Sequence, residues 1–262
     1  MEGMAVVTGA SSGIGRSYAE RLASDGMDVV LVARRADRLE MLKRDLESRG
    51  AGVRTIVADL SLAEDVQRLG AELDAMPIEV LVNNAGLAHY MRFAQLPLEQ
   101  ARELVDVNAL APVLLTRVVI PGMIRRGRGA VVNVASLLAF SGAASAPHLP
   151  QRAVYAATKA FLVTFSQILA AELAGTGVQV QVVCPGVVRS EFHSRQGIDM
   201  SQVARMEPDQ VVTASLADLA RGVVVSIPGM PDESTKLRFE DAASALLAFA
   251  RTTELPARYR SG

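Results

Sequence analysis

Thr8-Gly9-Ala10-Ser11-Ser12-Gly13-Ile14-Gly15 stands between a short β-branched run and the first helical pattern. Its glycines allow a tight turn and let backbone N–H groups approach an anion at the positive end of the following helix. A glycine cluster alone is a weak signal. This one follows an expected strand at 4–8 (M-A-V-V-T) and precedes an expected helix at 14–24, with Ile14, Tyr18 and Leu22 at intervals of four. That strand–turn–helix context marks the opening of a βαβ unit.

The alternation continues outward. A strand is expected at 29–33 (V-V-L-V-A), then a helix at 36–49 with Leu39, Leu42 and Leu46 on one face and Gly50 as its stop, then a strand at 53–57. Ser61-Leu62-Ala63-Glu64 has the spacing of a capping box and predicts a helix to about residue 76. Further strands are expected at 80–82, 130–134, 178–183 and 223–227, with long helices near 98–123 and 154–173. Strands of near-continuous Val, Ile and Leu suit a parallel sheet covered on both faces. Repeated βα units with right-handed crossovers then give a doubly wound, seven-stranded α/β sandwich of three layers. No linker or repeat interrupts the pattern, so residues 1–262 read as one domain. Two segments depart from it: a Pro-containing loop of small residues at 141–152, and a polar stretch of weak helical periodicity at about 190–219. Long irregular segments in such domains tend to be lids or binding loops.

Composition narrows the class. Of 262 residues, 50% are hydrophobic, and 27 basic side chains face 28 acidic ones. A chain of this length and polarity buries a large core, is not disordered, and lacks the basic footprint of a nucleic-acid binder. The single cysteine, Cys184, excludes an intrachain disulfide framework and a Cys-rich zinc site, and reads as a small buried filler. His89, His148 and His193 have no metal-ligand spacing, so no metal is expected. No run approaches the roughly 18–20 apolar residues of a membrane span. The opening Met1-Glu2-Gly3-Met4 runs straight into a strand, which argues against a signal peptide. A cytoplasmic protein without a membrane partner is the expectation.

The end of the second strand distinguishes between cofactors. Dinucleotide sites for NAD carry an acid there for the ribose hydroxyl, and NADP sites carry arginine. Here the strand ends in Ala33-Arg34-Arg35, with Asp28 before it and Asp37 beyond. A charge-assisted Arg–phosphate bond contributes on the order of 1.5–3 kcal/mol, roughly ten- to over a hundredfold in affinity. NADP(H) is expected, with NAD(H) as the alternative if the arginines only solvate a helix start. Farther on, Tyr155-Ala156-Ala157-Thr158-Lys159 places a phenol and an ammonium on one helix face. Such an ammonium favours the phenolate, drawing its pKa down from about 10 and giving a group that exchanges protons near neutral pH.

In chain order, the T-G-x-x-x-G-I-G turn, Asn83-Asn84-Ala85-Gly86, Ser136, Tyr155 with Lys159, and Pro185-Gly186 follow one another. With these motifs the chain resembles the short-chain dehydrogenase/reductase family over essentially its whole length, nearest to NADP-dependent oxoacyl and carbonyl reductases. The resemblance implies a Rossmann-like core, a nicotinamide cofactor, and reversible interconversion of alcohol and carbonyl. It implies that Tyr155 is the acid/base and that Lys159 binds the nicotinamide ribose. Ser136 would orient the substrate carbonyl, and Asn108 would hold a relay water. Gly9, Ser11, Ser12, Gly13, Ile14 and Gly15 would form the phosphate turn, Asp59 and Leu60 would contact adenine, and Asn83, Ala85 and Gly86 would line the adenosine ribose. Pro185, Gly186 and Val188 would wall the nicotinamide pocket, with Ser190 in place of the family's threonine.

Tyr155 follows Ser136 by 19 positions, longer than the family's usual spacing, and the excess falls in 141–152. This reads as an enlarged loop at the mouth of the site. His89, His148 and Phe192 are candidate substrate contacts, and Phe192, Met200, Val203 and Met206 suggest an apolar substrate. Family likeness also implies pairing of the helices near 98–123 and 154–173 across a two-fold axis, giving a homodimer or homotetramer. The leading reading is an NADPH-dependent reductase of a ketone or oxoacyl compound. An NAD-dependent alcohol or hydroxysteroid dehydrogenase and a non-catalytic NADP-sensing protein are the alternatives.

Overall fold

Seven strands form one parallel sheet: β1 (Met4–Thr8), β2 (Asp28–Ala33), β3 (Val53–Val57), β4 (Ile78–Asn83), β5 (Gly129–Val134), β6 (Val178–Val183) and β7 (Val225–Ser226). The computed structural model describes residues 3–142, 149 and 151–259. Strand order is β3-β2-β1-β4-β5-β6-β7. The winding therefore reverses between β1 and β4, and a ligand crevice is expected outside the carboxyl ends of those strands.

Side chains alternate along each strand, so both faces are apolar. Val7, Val29 and Leu31 pack under α1 (Gly13–Ser24), α2 (Ala36–Ser48) and a later helix at Pro208–Ala220. Val6, Val30 and Leu81 face the other way, against α3 (Ala63–Asp74) and the helix at Ala111–Arg126. This is the three-layer arrangement expected of doubly wound α/β chains.

Several local expectations are corrected. The Ser61–Glu64 capping box does not form, because the Ser61 hydroxyl donates to Asp59 Oδ1 at 2.7 Å; α3 starts at Ala63 with Leu62 as its cap. The helix expected at 98–123 is divided into α4 (Leu98–Val105), a π turn (Asp106–Leu110) and α5 (Ala111–Arg126). β7 covers two residues rather than 223–227: Val223 N–H donates to Asp218 O at 2.9 Å, and Val223 O accepts from Gln181 Nε2 at 3.3 Å. Val223 is thus tied to other partners, and bonding to β6 begins at Val224, whose carbonyl accepts from Val182 N–H at 2.7 Å.

The 190–219 segment also resolves into parts. After α6 (Ala153–Glu172) and β6 come α7 (Glu191–Ser194), an irregular stretch closed by a bridge between Val188 and Met206, and α8 (Pro208–Ala220). α8 is packed scaffold rather than lid: it buries Val211, Val212 and Ser215, and the Tyr18 hydroxyl of α1 donates to Ser215 Oγ at 2.5 Å.

Leu98–Arg126 and Ala153–Glu172 are long and apolar enough to cross a bilayer by length and composition, contrary to the sequence reading. Here Leu115, Val119 and Met123 of the first stretch pack into the core beside the sheet, and Leu162 of the second joins Val182 of β6.

The chain falls into two compact units, Met1–Pro228 and Gly229–Gly262, where the sequence reads as one domain. The first carries the whole sheet. The second comprises α9 (Ser234–Leu247) and 3₁₀ turns at Ala248–Arg251 and Ala257–Tyr259, with Leu246, Leu247 and Phe249 exposed. Of the expected loop at 141–152, residues 143–148 and 150 lie outside the described residues, His148 among them. At its described ends, Arg152 Nε donates to Ser141 Oγ at 3.0 Å.

Candidate active site

The carboxyl ends of the strands open into a cavity of about 1030 Å³. At one end lies the glycine turn. Gly9 has φ +69°, and a Cβ there would stand 2.7 Å from Asn84 Nδ2, so only glycine is accommodated without strain. Thr8 fastens the turn to the next loop: its Oγ1 accepts from the N–H groups of Asn84 and Ala85, each at 3.0 Å.

Charged groups collect beside the turn. Arg35, at the end of β2, donates from Nη2 to Ser11 Oγ at 2.7 Å and Ser12 Oγ at 3.0 Å, and from Nη1 to Glu191 Oε2 at 2.8 Å. Arg34 Nη1 lies 3.5 Å from Asp59 Oδ2. Burial opposes ionisation of Asp59, yet hydrogen bonds from Ser61 and the Arg34 charge hold its carboxyl below the usual range.

At the other end are the hydroxyls. Ser136 follows β5 and accepts from Leu138 N–H at 3.1 Å. Tyr155 enters on the first turn of α6. The Ser136 and Tyr90 side chains act on the ionisation of its hydroxyl, Ser136 favouring the phenolate and Tyr90 opposing it. The Tyr90 ring meets the Tyr155 ring edge-on at 5.6 Å and the Phe192 ring lies at 6.0 Å. Lys159, one turn on, donates from Nζ to Val134 O at 2.9 Å and sits 5.8 Å from the Tyr155 ring centroid.

Burial governs both ionisable groups. It raises the Tyr155 phenol well above its ordinary value, and the neighbouring Tyr90 raises it further. It pushes the Lys159 ammonium down to about 8. The lowered phenol pKa expected from the Tyr–Lys spacing is therefore not found in this arrangement. The ammonium directs its hydrogen bond to Val134, and desolvation of the phenol prevails.

The family profile of short chain dehydrogenases matches residues 3–200. The chain belongs to the short-chain dehydrogenase/reductase family. It is an oxidoreductase of that family. The very-long-chain 3-oxoacyl-CoA reductase of Mus musculus is 34% identical over 84% of this chain and 71% of its own length. Among solved structures, a short-chain dehydrogenase from Sphingobium yanoikuyae in complex with NADPH is 35% identical, covering 98% of this chain and 100% of that one with a TM-score of 0.92. The bulky-bulky ketone specific alcohol dehydrogenase of Comamonas testosteroni is 32% identical over 98% of each chain, with a TM-score of 0.87.

Against this family's pattern, most expected residues converge. Gly9, Ser11, Ser12, Gly13 and Ile14 line one end of the cavity with Arg34, Arg35, Asp59 and Leu60. Ala85, Gly86, Pro185, Gly186, Val188 and Ser190 also line it, Ser190 with its Cβ 3.0 Å from where a Gly13 Cβ would stand, and so do Ser136, Tyr155, Lys159 and Phe192. Four residues sit elsewhere: Gly15, Asn83, His89 and Asn108. Gly15 lies behind the turn, where a Cβ would come 2.5 Å from Gly9 O. Asn83 points into the core, donating to Asn133 Oδ1 at 2.8 Å and Thr116 Oγ1 at 3.0 Å; the neighbouring Asn84 takes the cavity wall instead. His89 turns to Glu103, with Nε2 3.0 Å from Oε2, and does not line the cavity.

Asn108 is buried in the π turn. Its Oδ1 accepts from Leu87 N–H at 3.0 Å, and its Nδ2 donates to Leu87 O at 2.9 Å and to Thr158 Oγ1 at 3.3 Å. Tyr90, which lines the cavity, and Glu191, which pairs with Arg35, are neighbours of the candidate site that the motifs do not reveal. The arginine four residues after Glu191 is the one sequence signal for it, since Arg195 Nη2 meets its carboxylate at 2.6 Å. No group of three His, Cys, Asp or Glu able to hold a metal occurs among the described residues.

Proposed function

We propose that the protein reduces apolar ketones or oxoacyl compounds with NADP(H). The observation that carries this reading is the polarity of the cavity at the carboxyl ends of the strands. Serine hydroxyls, glycine-turn backbone and two arginines stand at one end, and a serine–tyrosine pair surrounded by apolar side chains stands at the other.

The residues present fit the cofactor. At Gly9 a side chain would meet Asn84 and Ala85, which keeps this a tight glycine turn of the kind that binds a pyrophosphate. Arg34 and Arg35 would take the 2′-phosphate, Asp59 and Leu60 the adenine, Ala85, Gly86 and Lys159 the riboses, and Pro185, Gly186, Val188 and Ser190 the nicotinamide side. Bound there, the cofactor supplies the hydride. Tyr155, protonated at neutral pH because burial raises it, donates its proton to the carbonyl oxygen of the substrate. Ser136 hydrogen-bonds the same oxygen. Both donors act where charge grows, so they stabilise the transition state more than the ground state. Leu138, Phe192, Ile198, Met200 and Val203 exclude water around the substrate and favour an apolar one.

Two relatives support the substrate class, one through 3-oxoacyl-CoA reduction and the other through bulky ketones. Assembly as a homodimer or homotetramer belongs to the same reading. It is supported by exposed apolar side chains on α5 (Leu114) and α6 (Phe161, Ile168), which suit helix pairing between copies. Turnover of a panel of ketones and oxoacyl thioesters, compared with NADPH and with NADH, tests the proposal. NADPH is expected to be preferred at least tenfold; equal efficiency would remove the role given to Arg34 and Arg35.

A further inference from the structure

Glu191, the first residue of α7, is gathered by three guanidinium groups. Arg35 Nη1 donates to its Oε2 at 2.8 Å, Arg195 Nη2 to the same oxygen at 2.6 Å, and Arg38 Nη1 to its Oε1. These bonds, that from Arg38 first, hold the carboxyl down at about 2, so it is an anion at any working pH. Three positive charges against one negative leave the cluster with an excess of two. A dianion suits that excess better than one carboxylate does.

The place of the cluster gives this a consequence. Each nitrogen of Arg35 already donates: its Nε and Nη2 to the serine hydroxyls of the glycine turn, and its Nη1 to Glu191. Arg38 follows one turn into α2 and bonds to the same carboxylate. A phosphate recruited by the end of β2 therefore meets arginines already engaged by an internal anion. It must also approach against that anion's charge.

We infer that Glu191 is a specificity-determining residue that competes with the 2′-phosphate of the cofactor for Arg35 and Arg38, and so moderates the preference for NADP(H) over NAD(H). This rests on the NADP(H) reading above. Adenosine carrying a 2′-phosphate feels the competition, and adenosine without one does not. The carboxylate thus acts on the difference between the two cofactors rather than on dinucleotide binding as a whole.

The test is equilibrium titration of the full-length protein with adenosine 2′,5′-bisphosphate and with AMP. Wild type, Glu191→Gln and Glu191→Asp are compared. Glutamine keeps an acceptor of the same size and removes the charge; aspartate keeps the charge. The ratio of affinities for the bisphosphate over AMP should rise on the order of threefold to tenfold in E191Q, as expected for relief of a partly exposed like charge. It should stay near wild type in E191D. An unchanged or lowered ratio in E191Q would overturn the inference and make Glu191 an orienting group for Arg35. Equal wild-type affinities for the two nucleotides would overturn the phosphate reading itself, and the inference with it.

Discussion

Asn108 holds both polar ends of Leu87, accepting from its N–H at 3.0 Å and donating to its carbonyl at 2.9 Å. The π turn at Asp106–Leu110 places this amide in the interior, where it also reaches Thr158. Thr158 Oγ1 in turn donates to Tyr155 O at 2.8 Å. The loop after β4 and the first turn of α6 are thereby held to one side chain. We predict that Asn108→Ala destabilises the protein by on the order of 2 kcal/mol, the cost of leaving buried polar groups unpaired. Activity should fall as well. Chemical denaturation measures the first effect, and an unfolding midpoint equal to wild type would show that Leu87 finds other partners.

Tyr155→Phe removes the phenol placed beside Ser136 and leaves the packing against Phe192 in place. Carbonyl reduction should drop roughly a hundred- to ten-thousandfold, the usual worth of a positioned general acid. NADPH binding, followed by nucleotide fluorescence, should change little. Sustained turnover of a verified substrate by the variant would assign the proton to another group.

Lys159 gives a pH signature. Its folded pKa of about 8 lies below the unfolded value of 10.5, so between these limits the unfolded chain binds the extra proton. Stability attributable to this residue is lowest below about pH 8 and rises with pH across the window, on the order of 1 kcal/mol per pH unit. The difference in unfolding free energy between wild type and Lys159→Met isolates that contribution from other titrating groups. Lys159→Met should be the more stable protein at pH 7, with its advantage shrinking toward pH 10. A difference independent of pH would refute the depressed value.

Gly15→Ala sets two effects against each other. In an ordinary helix interior the change stabilises by up to about 1 kcal/mol. Here the new methyl would lie 2.3 Å from Asn84 Nδ2 and 2.5 Å from the backbone oxygen of Gly9, which cannot yield without moving the phosphate turn. Overpacking of this kind costs about 1–3 kcal/mol or more. Thermal unfolding should therefore show a lower Tm; an increase would mean that the turn relaxes freely.

The sheet was legible because most of its strands are rich in Val, Ile and Leu, with β3 (VRTIV) and β6 (VQVQVV) still β-branched at alternate positions. The motif turn, Tyr155, Lys159 and Ser136 were legible because their chemistry depends on local spacing. What escaped depended on partners distant in sequence. The capping serine was lost to Asp59, and the last strand was shortened because α8 and Gln181 hold Val223. Asn83 and Asn84 are adjacent and identical in type, so only strand register decides which one meets the cavity and which the Asn133 network. The direction of the Tyr155 pKa depends on how deeply the fold buries it, and spacing carries no information about depth.

The brevity of β7 reaches beyond the site. A sheet border only two residues long offers a foreign chain almost no row of free amides and carbonyls to copy. At the opposite border, β3 carries Arg54 paired to Glu72 at 2.6 Å, which sets charge along the rim. Strand-by-strand accretion into aggregates is discouraged from both sides, which should favour this protein's solubility when it is concentrated.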